Sequence, residues 1–135
     1  MDSRKIDTEH MSAAQEAAES SNCMRKKVGA VIAKGEIILV SSANGTPSGM
    51  ISCKEGGCPR CSSNPSSGEN YDSCLCVHAE QSVIAKAAKA GLPIIGATLY
   101  CTLRPCLTCL NLSIHSGIVK LIYYNDIQFR PSIET

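Results

Sequence analysis

Apolar and polar positions follow one another with a changing period along this chain, and each change of period marks the edge of an element. From Asp7 to Ser20 apolar residues recur at helical spacing among Ala, Glu and Gln, which predicts a first helix. The run "KVGAVIAKGEIILVSS" holds two short apolar stretches on either side of Lys34-Gly35, the pattern of a β-hairpin. Between Asn44 and Tyr71 the periodicity fades and Gly, Pro, Ser and Asn dominate, so a long loop is expected. Such a loop inside a compact domain needs a structural or functional cause. Beyond it, "AEQSVIAKAAKAG" predicts a helix stopped by Gly91 and Pro93, and "GATLYCTL" a strand. "PCLTCLNLSIHSG" predicts a further helix with Pro105 at its start, and "IVKLIYY" a last strand.

The predicted order is therefore α-β-β-loop-α-β-α-β, an α/β class of fold. Its closing strand-helix-strand unit implies a parallel, right-handed crossover, and hence a mixed central sheet flanked by helices. No internal repeat is evident. Residues 1–135 are expected to form a single domain with a Cys-rich loop at about 44–77, since 135 residues suit one sheet and its covering helices.

Composition narrows the partners. A chain that is 44% hydrophobic with a formal charge of +1 lacks the clustered Lys and Arg excess that a long nucleic acid would require, whereas a single nucleotide escapes that objection. The start "MDSRKIDTEHMSAAQEAAES" is polar, and no later stretch approaches the roughly 20 apolar residues of a membrane span, so a cytoplasmic protein with no membrane partner is expected. In a reducing compartment, nine cysteines point to metal rather than to disulfides.

Two of the Cys-rich stretches carry chemistry: "CLCVHAEQS" from Cys74 and "LRPCLTCLN" from Leu103. With Pro105 at a helix start, Cys106 and Cys109 share one face of the first turn, where the positive helix end favours thiolate. His78 and Glu80 flank the start of the preceding helix, which the crossover brings alongside. One imidazole and two thiolates make three zinc ligands, and a catalytic zinc keeps its fourth position for water. Glu80 is then the natural proton carrier. A lone C-x-x-C would serve equally as half of a structural zinc site, and a lone H-x-E carries little weight. H-x-E followed by P-C-x-x-C is, however, the signature of zinc nucleobase deaminases.

In order, "VGAVI", "NGTPSG", "GGCPRC", "CLCVHAE", "GATLYCTLRPCLTC" and "HSGIVKLIYY" resemble the pattern of deoxycytidylate (dCMP) deaminases of the cytidine deaminase-like superfamily, from about Ser20 to Tyr124. The resemblance implies a three-layer α/β/α sandwich and hydrolytic conversion of dCMP to dUMP with release of ammonia, supplying thymidylate synthesis. It implies a catalytic Zn²⁺ on His78, Cys106 and Cys109, a zinc-bound hydroxide attacking C4 of cytosine, and Glu80 as proton shuttle. It further implies that Asn44 contacts the deoxyribose and that the backbone of Ala79 meets the base edge; Asn44-Gly45 would equally suit a turn. Relatives are commonly homo-oligomers, often hexamers, regulated by dCTP and dTTP with Mg²⁺.

The remaining cysteines suggest a second, structural Zn²⁺, for which Cys23, Cys53, Cys61 and Cys74 are the expected ligands, stapling the long loop to its neighbours. Cys101 is expected to be a small buried strand residue, His115 a capping or surface residue and His10 a solvated one. The chain departs from the dCMP deaminase pattern at Ala43, usually Tyr, and at Ser82, usually Asn, so the resemblance does not carry the family's sugar and phosphate contacts over to these positions. Three other readings compete: a deaminase of another small substrate, such as dCTP, cytidine, guanine or a modified pyrimidine; a purely structural zinc module, which has no use for a glutamate two residues from its histidine; and a deaminase acting on nucleic acid, which would want aromatic stacking and basic grooves in a chain that is only 4% aromatic.

Overall fold

Helix α1 (Ser3–Ala18) begins where the Asp2 carboxylate accepts the backbone N–H of Arg4 at 3.1 Å, four residues before the start expected from periodicity. The structure, a computed structural model, describes residues 2–62, 75–125 and 128–134. After α1 come the hairpin strands β1 (Gly29–Lys34) and β2 (Ile37–Ala43), joined by a tight turn at Gly35-Glu36. The long loop carries a 3₁₀ turn (Cys53–Glu55) and a short helix, α2 (Pro59–Ser62), so regular structure does not vanish from it. Then follow α3 (Ala79–Ala90), β3 (Thr98–Cys101), α4 (Leu107–His115) and β4 (Lys120–Asn125), in the expected sequence. A final strand, β5 (Gln128–Glu134), was not expected.

Among the described residues the strands form one sheet in the order β2-β1-β3-β4-β5. β1 pairs antiparallel with both β2 and β3, β3 pairs parallel with β4, and β4 antiparallel with β5. The mixed sheet is thus as the crossover required.

Alternation along the strands creates two apolar faces. Val31, Ala33, Tyr100 and Ile122 face α1, where Met11 and Ala14 close one core. Ala30, Ile32, Leu99, Cys101 and Leu121 face the other way and pack with Val83 and Ala87 of α3, with Leu110 of α4 against them. The result is three layers, α1, sheet, and α3 with α4. β1 is buried on both faces, which explains its unbroken apolar run.

Close approach of α1 to the sheet depends on Gly29, where a Cβ would sit 1.9 Å from the carbonyl oxygen of Ala14. His10 corrects the expectation of a solvated side chain. It is buried, its Nε2 lies 2.7 Å from the Gly35 carbonyl oxygen, and its ring stands edge-on to Tyr100. The turn of the hairpin covers that face of α1, a contact invisible to helical periodicity. Among the described residues no helix is long and apolar enough to cross a membrane.

Candidate active site

Two helix starts and one bridge assemble the site. Gly45 and Val77 exchange backbone hydrogen bonds, which closes the long loop and sets Asn44 beside His78. His78 is the N-cap of α3, and its backbone N–H is accepted by Gln81 Oε1 at 3.0 Å, an arrangement that fixes how the chain enters the helix. Cys106, rather than Pro105, caps α4: its Sγ accepts the backbone N–H of Cys109 at 3.5 Å. Pro105 therefore lies just outside the helix it was expected to open.

The ligating atoms of His78, Cys106 and Cys109 lie within 4.8 Å of one another. His78 Nδ1 is 3.1 Å from Cys109 Sγ and 3.6 Å from Cys106 Sγ. A tetrahedral zinc, with Zn–S near 2.3 Å and Zn–N near 2.0 Å, spaces nitrogen and sulfur roughly 3.5 Å apart, so the three residues fit that ion. Glu80, in the first turn of α3, is 4% exposed. Burial pushes the Cys109 thiol well up, and the charge of Glu80 adds to it. Burial also holds the Cys101 thiol well up, with the Glu80 carboxylate as its hydrogen-bonding neighbour. A divalent cation relieves that crowding of incipient negative charge.

Beside these residues opens a cavity of about 460 Å³, within the range of small-molecule sites. Asn44, Ala79 and Glu80 line it, and so do Arg25, Lys26, Arg60 and Arg104, which makes Glu80 the one acidic residue among the described lining residues. The sequence reading missed Arg60 and Arg104. Each stands within two residues of a cysteine, in "CPRC" and "LRPC", and that adjacency was the available signal. Asn44 is committed to the protein as well as to the cavity: its Oδ1 accepts from Val28 N–H at 2.9 Å and from Ser21 Oγ–H at 2.6 Å, while Nδ2 donates to the Lys26 carbonyl at 3.0 Å. Ser82 hydrogen-bonds Ser42 at 2.6 Å and so ties α3 to β2.

A second thiol group lies against the first site. The Sγ atoms of Cys23, Cys53, Cys61 and Cys76 are all within 4.8 Å of one another. Three of the expected ligands are here. Cys74, the fourth, lies outside the described residues, and Cys76 completes the group that the structure describes. Gly57 permits the tight path, since a Cβ there would meet the Ile51 carbonyl oxygen at 1.9 Å. Burial and then hydrogen bonding with Cys53 push the Cys61 thiol up to about 12, and the same causes raise Cys76. Burial works to raise Cys23 too, but the backbone N–H groups of Lys26 and Arg25 prevail and lower it. Four thiols this close repel once ionised, unless a cation sits among them. Cys58 packs into the same cluster, and its Sγ accepts the Leu75 N–H at 3.3 Å. His115 is exposed near the end of α4.

A three-layer α/β/α fold with a His-Cys-Cys triad and a buried glutamate at two helix starts defines a zinc-dependent deaminase scaffold. Residues 4–125 match the family model of the cytidine and deoxycytidylate deaminase zinc-binding region, and the chain belongs to that family. It is 42% identical over 120 residues to a deoxycytidylate deaminase of Schizosaccharomyces pombe, covering 89% of this chain but 37% of that protein, little more than a third of its length. A deoxycytidylate deaminase of Mycobacterium phage D29 is 40% identical over 112 residues, covering 79% of this chain and 84% of the phage protein. Among solved structures, a dCMP deaminase from cyanophage S-TIM5 in complex with dCMP and dUMP superposes with a TM-score of 0.70 at 34% identity, covering 88% of this chain and 80% of that one.

Proposed function

We propose that this chain, as a single deaminase domain, hydrolyses dCMP to dUMP and ammonia, supplying thymidylate synthesis. The observation that carries the reading is the convergence of His78, Cys106 and Cys109 beside Glu80, at a cavity whose other charged lining residues, among those described, are cationic. A base with an amino group suits the first half of that cavity and a phosphate the second.

His78 Nδ1 and the Sγ atoms of Cys106 and Cys109 would hold zinc, which when bound supplies the acidity that makes water a nucleophile near neutral pH. The Glu80 carboxylate takes one proton of the attacking water and delivers it to N3 of the ring as C4 becomes tetrahedral, then carries the proton of the new C4 hydroxyl to the exocyclic nitrogen, so that the C4–N bond breaks, the C4 carbonyl forms and ammonia leaves. Burial of Glu80 keeps bulk water from competing for that proton. The backbone of Ala79, at the start of α3, meets the base edge, and Asn44 borders the sugar. Arg25, Lys26 and Arg104, all exposed, draw the anionic substrate toward the cavity.

The second group, Cys23, Cys53, Cys61 and Cys76, would hold a structural zinc that staples the long loop to the segment before β1. By family likeness the reading extends to a cytoplasmic homo-oligomer whose activity responds to dCTP and dTTP with Mg²⁺; sedimentation with and without these nucleotides tests it.

The test is ammonia release from dCMP, run beside dCTP, CMP, deoxycytidine and guanine, with zinc determined on the same sample. Turnover of dCMP above the others is expected. Zinc-loaded protein that turns over another of these compounds in preference would transfer the same machinery to that substrate.

A further inference from the structure

We propose that Cys101 is the positioning residue of Glu80, its S–H donating to the carboxylate from the end of β3 and holding that carboxylate at the reacting centre. The inference rests on the deaminase reading of the site and adds a residue that lies outside both halves of the zinc signature, H-x-E and P-C-x-x-C.

Cys101 closes β3, which runs between β1 and β4, and is fully buried. Its backbone is paired on both sides, with Ala30 of β1 and with Tyr123 of β4, so the position of its sulfur is set by the middle of the sheet. Alternation turns Tyr100 toward α1 and Cys101 toward the opposite face, where it shares one apolar cluster with Ala79 and Val83 of α3. Glu80, next to Ala79 in the chain, is 4% exposed. There the thiol of Cys101 and the Glu80 carboxylate meet in a hydrogen bond.

A glutamate side chain has several rotatable bonds, and a proton shuttle works only while its oxygens stay within hydrogen-bond reach of the groups it serves. Two thiols meet this carboxylate, those of Cys101 and Cys109. Zinc makes them unequal. As a ligand Cys109 gives up its proton, and a thiolate repels a carboxylate. Cys101 stands outside the group of His78, Cys106 and Cys109, and its apolar surroundings keep the proton on sulfur. Of the two thiols it alone remains a donor in the loaded site. S–H is a weak donor in water, but an ionised acceptor and a site closed to solvent both strengthen the bond.

The experiment compares the zinc-loaded unaltered protein with Cys101→Ser, Cys101→Val and Cys101→Ala, with rates expressed per bound catalytic zinc. Cys101→Val and Cys101→Ala remove the donor, the first while filling its space, and are expected to lower kcat for dCMP roughly 10-fold with KM moved less than about twofold. Cys101→Ser keeps a donor and is expected to recover most of the rate, although its hydroxyl suits an apolar cluster less well than valine. That order separates positioning from packing. A kcat that is normal in Cys101→Val, or that follows Tm across the three variants, would reduce the thiol to a space-filling group and overturn the proposal. A second readout needs no turnover: the S–H stretch of Cys101, isolated as the infrared difference between proteins with and without Cys101→Ser, is expected to rise in frequency when Glu80→Gln replaces the ionised acceptor by a neutral amide. An unmoved band would overturn the hydrogen bond itself. Zinc-loaded protein that shows the band shift yet fails to deaminate dCMP would instead remove the dCMP reading and leave Cys101 as the residue that holds Glu80.

Discussion

Nδ1 of His78 lies 3.1 Å from Sγ of Cys109, two atoms from different helices held closer than either could remain without something to share. The caps of α3 and α4 create that proximity, and Cys106 is the exposed member of the trio while Cys109 is buried. Removing a ligand should therefore release the metal while leaving the sheet intact. Cys106→Ala is expected to lose the catalytic zinc, seen as a drop in zinc content with little change in circular dichroism, and to lower deamination more than about 100-fold. Full zinc content in that variant would exclude Cys106 as a ligand.

Glu80→Gln separates metal binding from proton transfer. The amide keeps the shape of the buried side chain but cannot carry a proton, so zinc content should stay unchanged while turnover falls by roughly 10²- to 10⁴-fold. Normal activity in this variant would remove Glu80 from the proton path.

Much of the architecture was readable because its signals are local. Gly91 ends α3 at the left-handed cap position, and the alternation of Leu99, Tyr100 and Cys101 matches the two faces of β3. The triad was readable because C-x-x-C and H-x-E each bring their residues to one helix start. What escaped depends on distant contacts. His10 is buried by a hairpin turn that lies 25 residues away. Arg60 meets the cavity only once the loop has folded back through the bridge of Gly45 to Val77. β5 was hidden by Pro131, which is tolerated because the strand is at the sheet edge and the register slips there. Spacing could not rank the six remaining cysteines as ligands either, since the closeness of Cys76 to Cys23, Cys53 and Cys61 exists only in the folded chain.

The cysteine cluster should behave as a stability element. Cys53 is fully buried and contributes one of the four thiols, so Cys53→Ala removes a ligand and leaves a small void. A fall in Tm of about 5–10 °C is expected, together with loss of one zinc per chain and a normal kcat on whatever folded protein remains. Unchanged zinc content and Tm would mean that these thiols hold no metal.

Tyr100 links α1 to the sheet through its hydroxyl, which donates to Asp7 Oδ1 at 2.7 Å. Burial raises its pKa well above the ordinary 10.0, and the Asp7 hydrogen bond and charge add to the shift. A phenol whose folded pKa exceeds its unfolded one contributes stability that is complete below pH 10 and is lost as pH rises through the folded value. Tyr100→Phe is expected to cost about 1 kcal/mol at neutral pH and to flatten the loss of stability above pH 10, both measurable by urea unfolding across that range. An identical alkaline slope in the variant would show that other groups produce it.

Asn44 holds two roles that a single truncation cannot separate, because it borders the cavity while its amide ties Ser21, Lys26 and Val28 together. That segment carries Arg25 and Lys26, so loosening it disturbs the cationic side of the cavity even if Asn44 never touches the sugar. Asn44→Ala strands the Val28 N–H and should cost about 1–3 kcal/mol in stability while raising KM for dCMP. Asn44→Asp keeps the one oxygen that accepts from both Val28 and Ser21 but faces the Lys26 carbonyl with a second oxygen and adds a negative charge beside a cavity lined by Arg25, Lys26, Arg60 and Arg104. It should therefore recover part of the stability and none of the dCMP affinity, with KM for deoxycytidine less affected than KM for dCMP. If instead the two substrates shifted equally, Asn44 would act on the sugar, which both share, and its hold on the segment from Ser21 to Val28 would be incidental to binding.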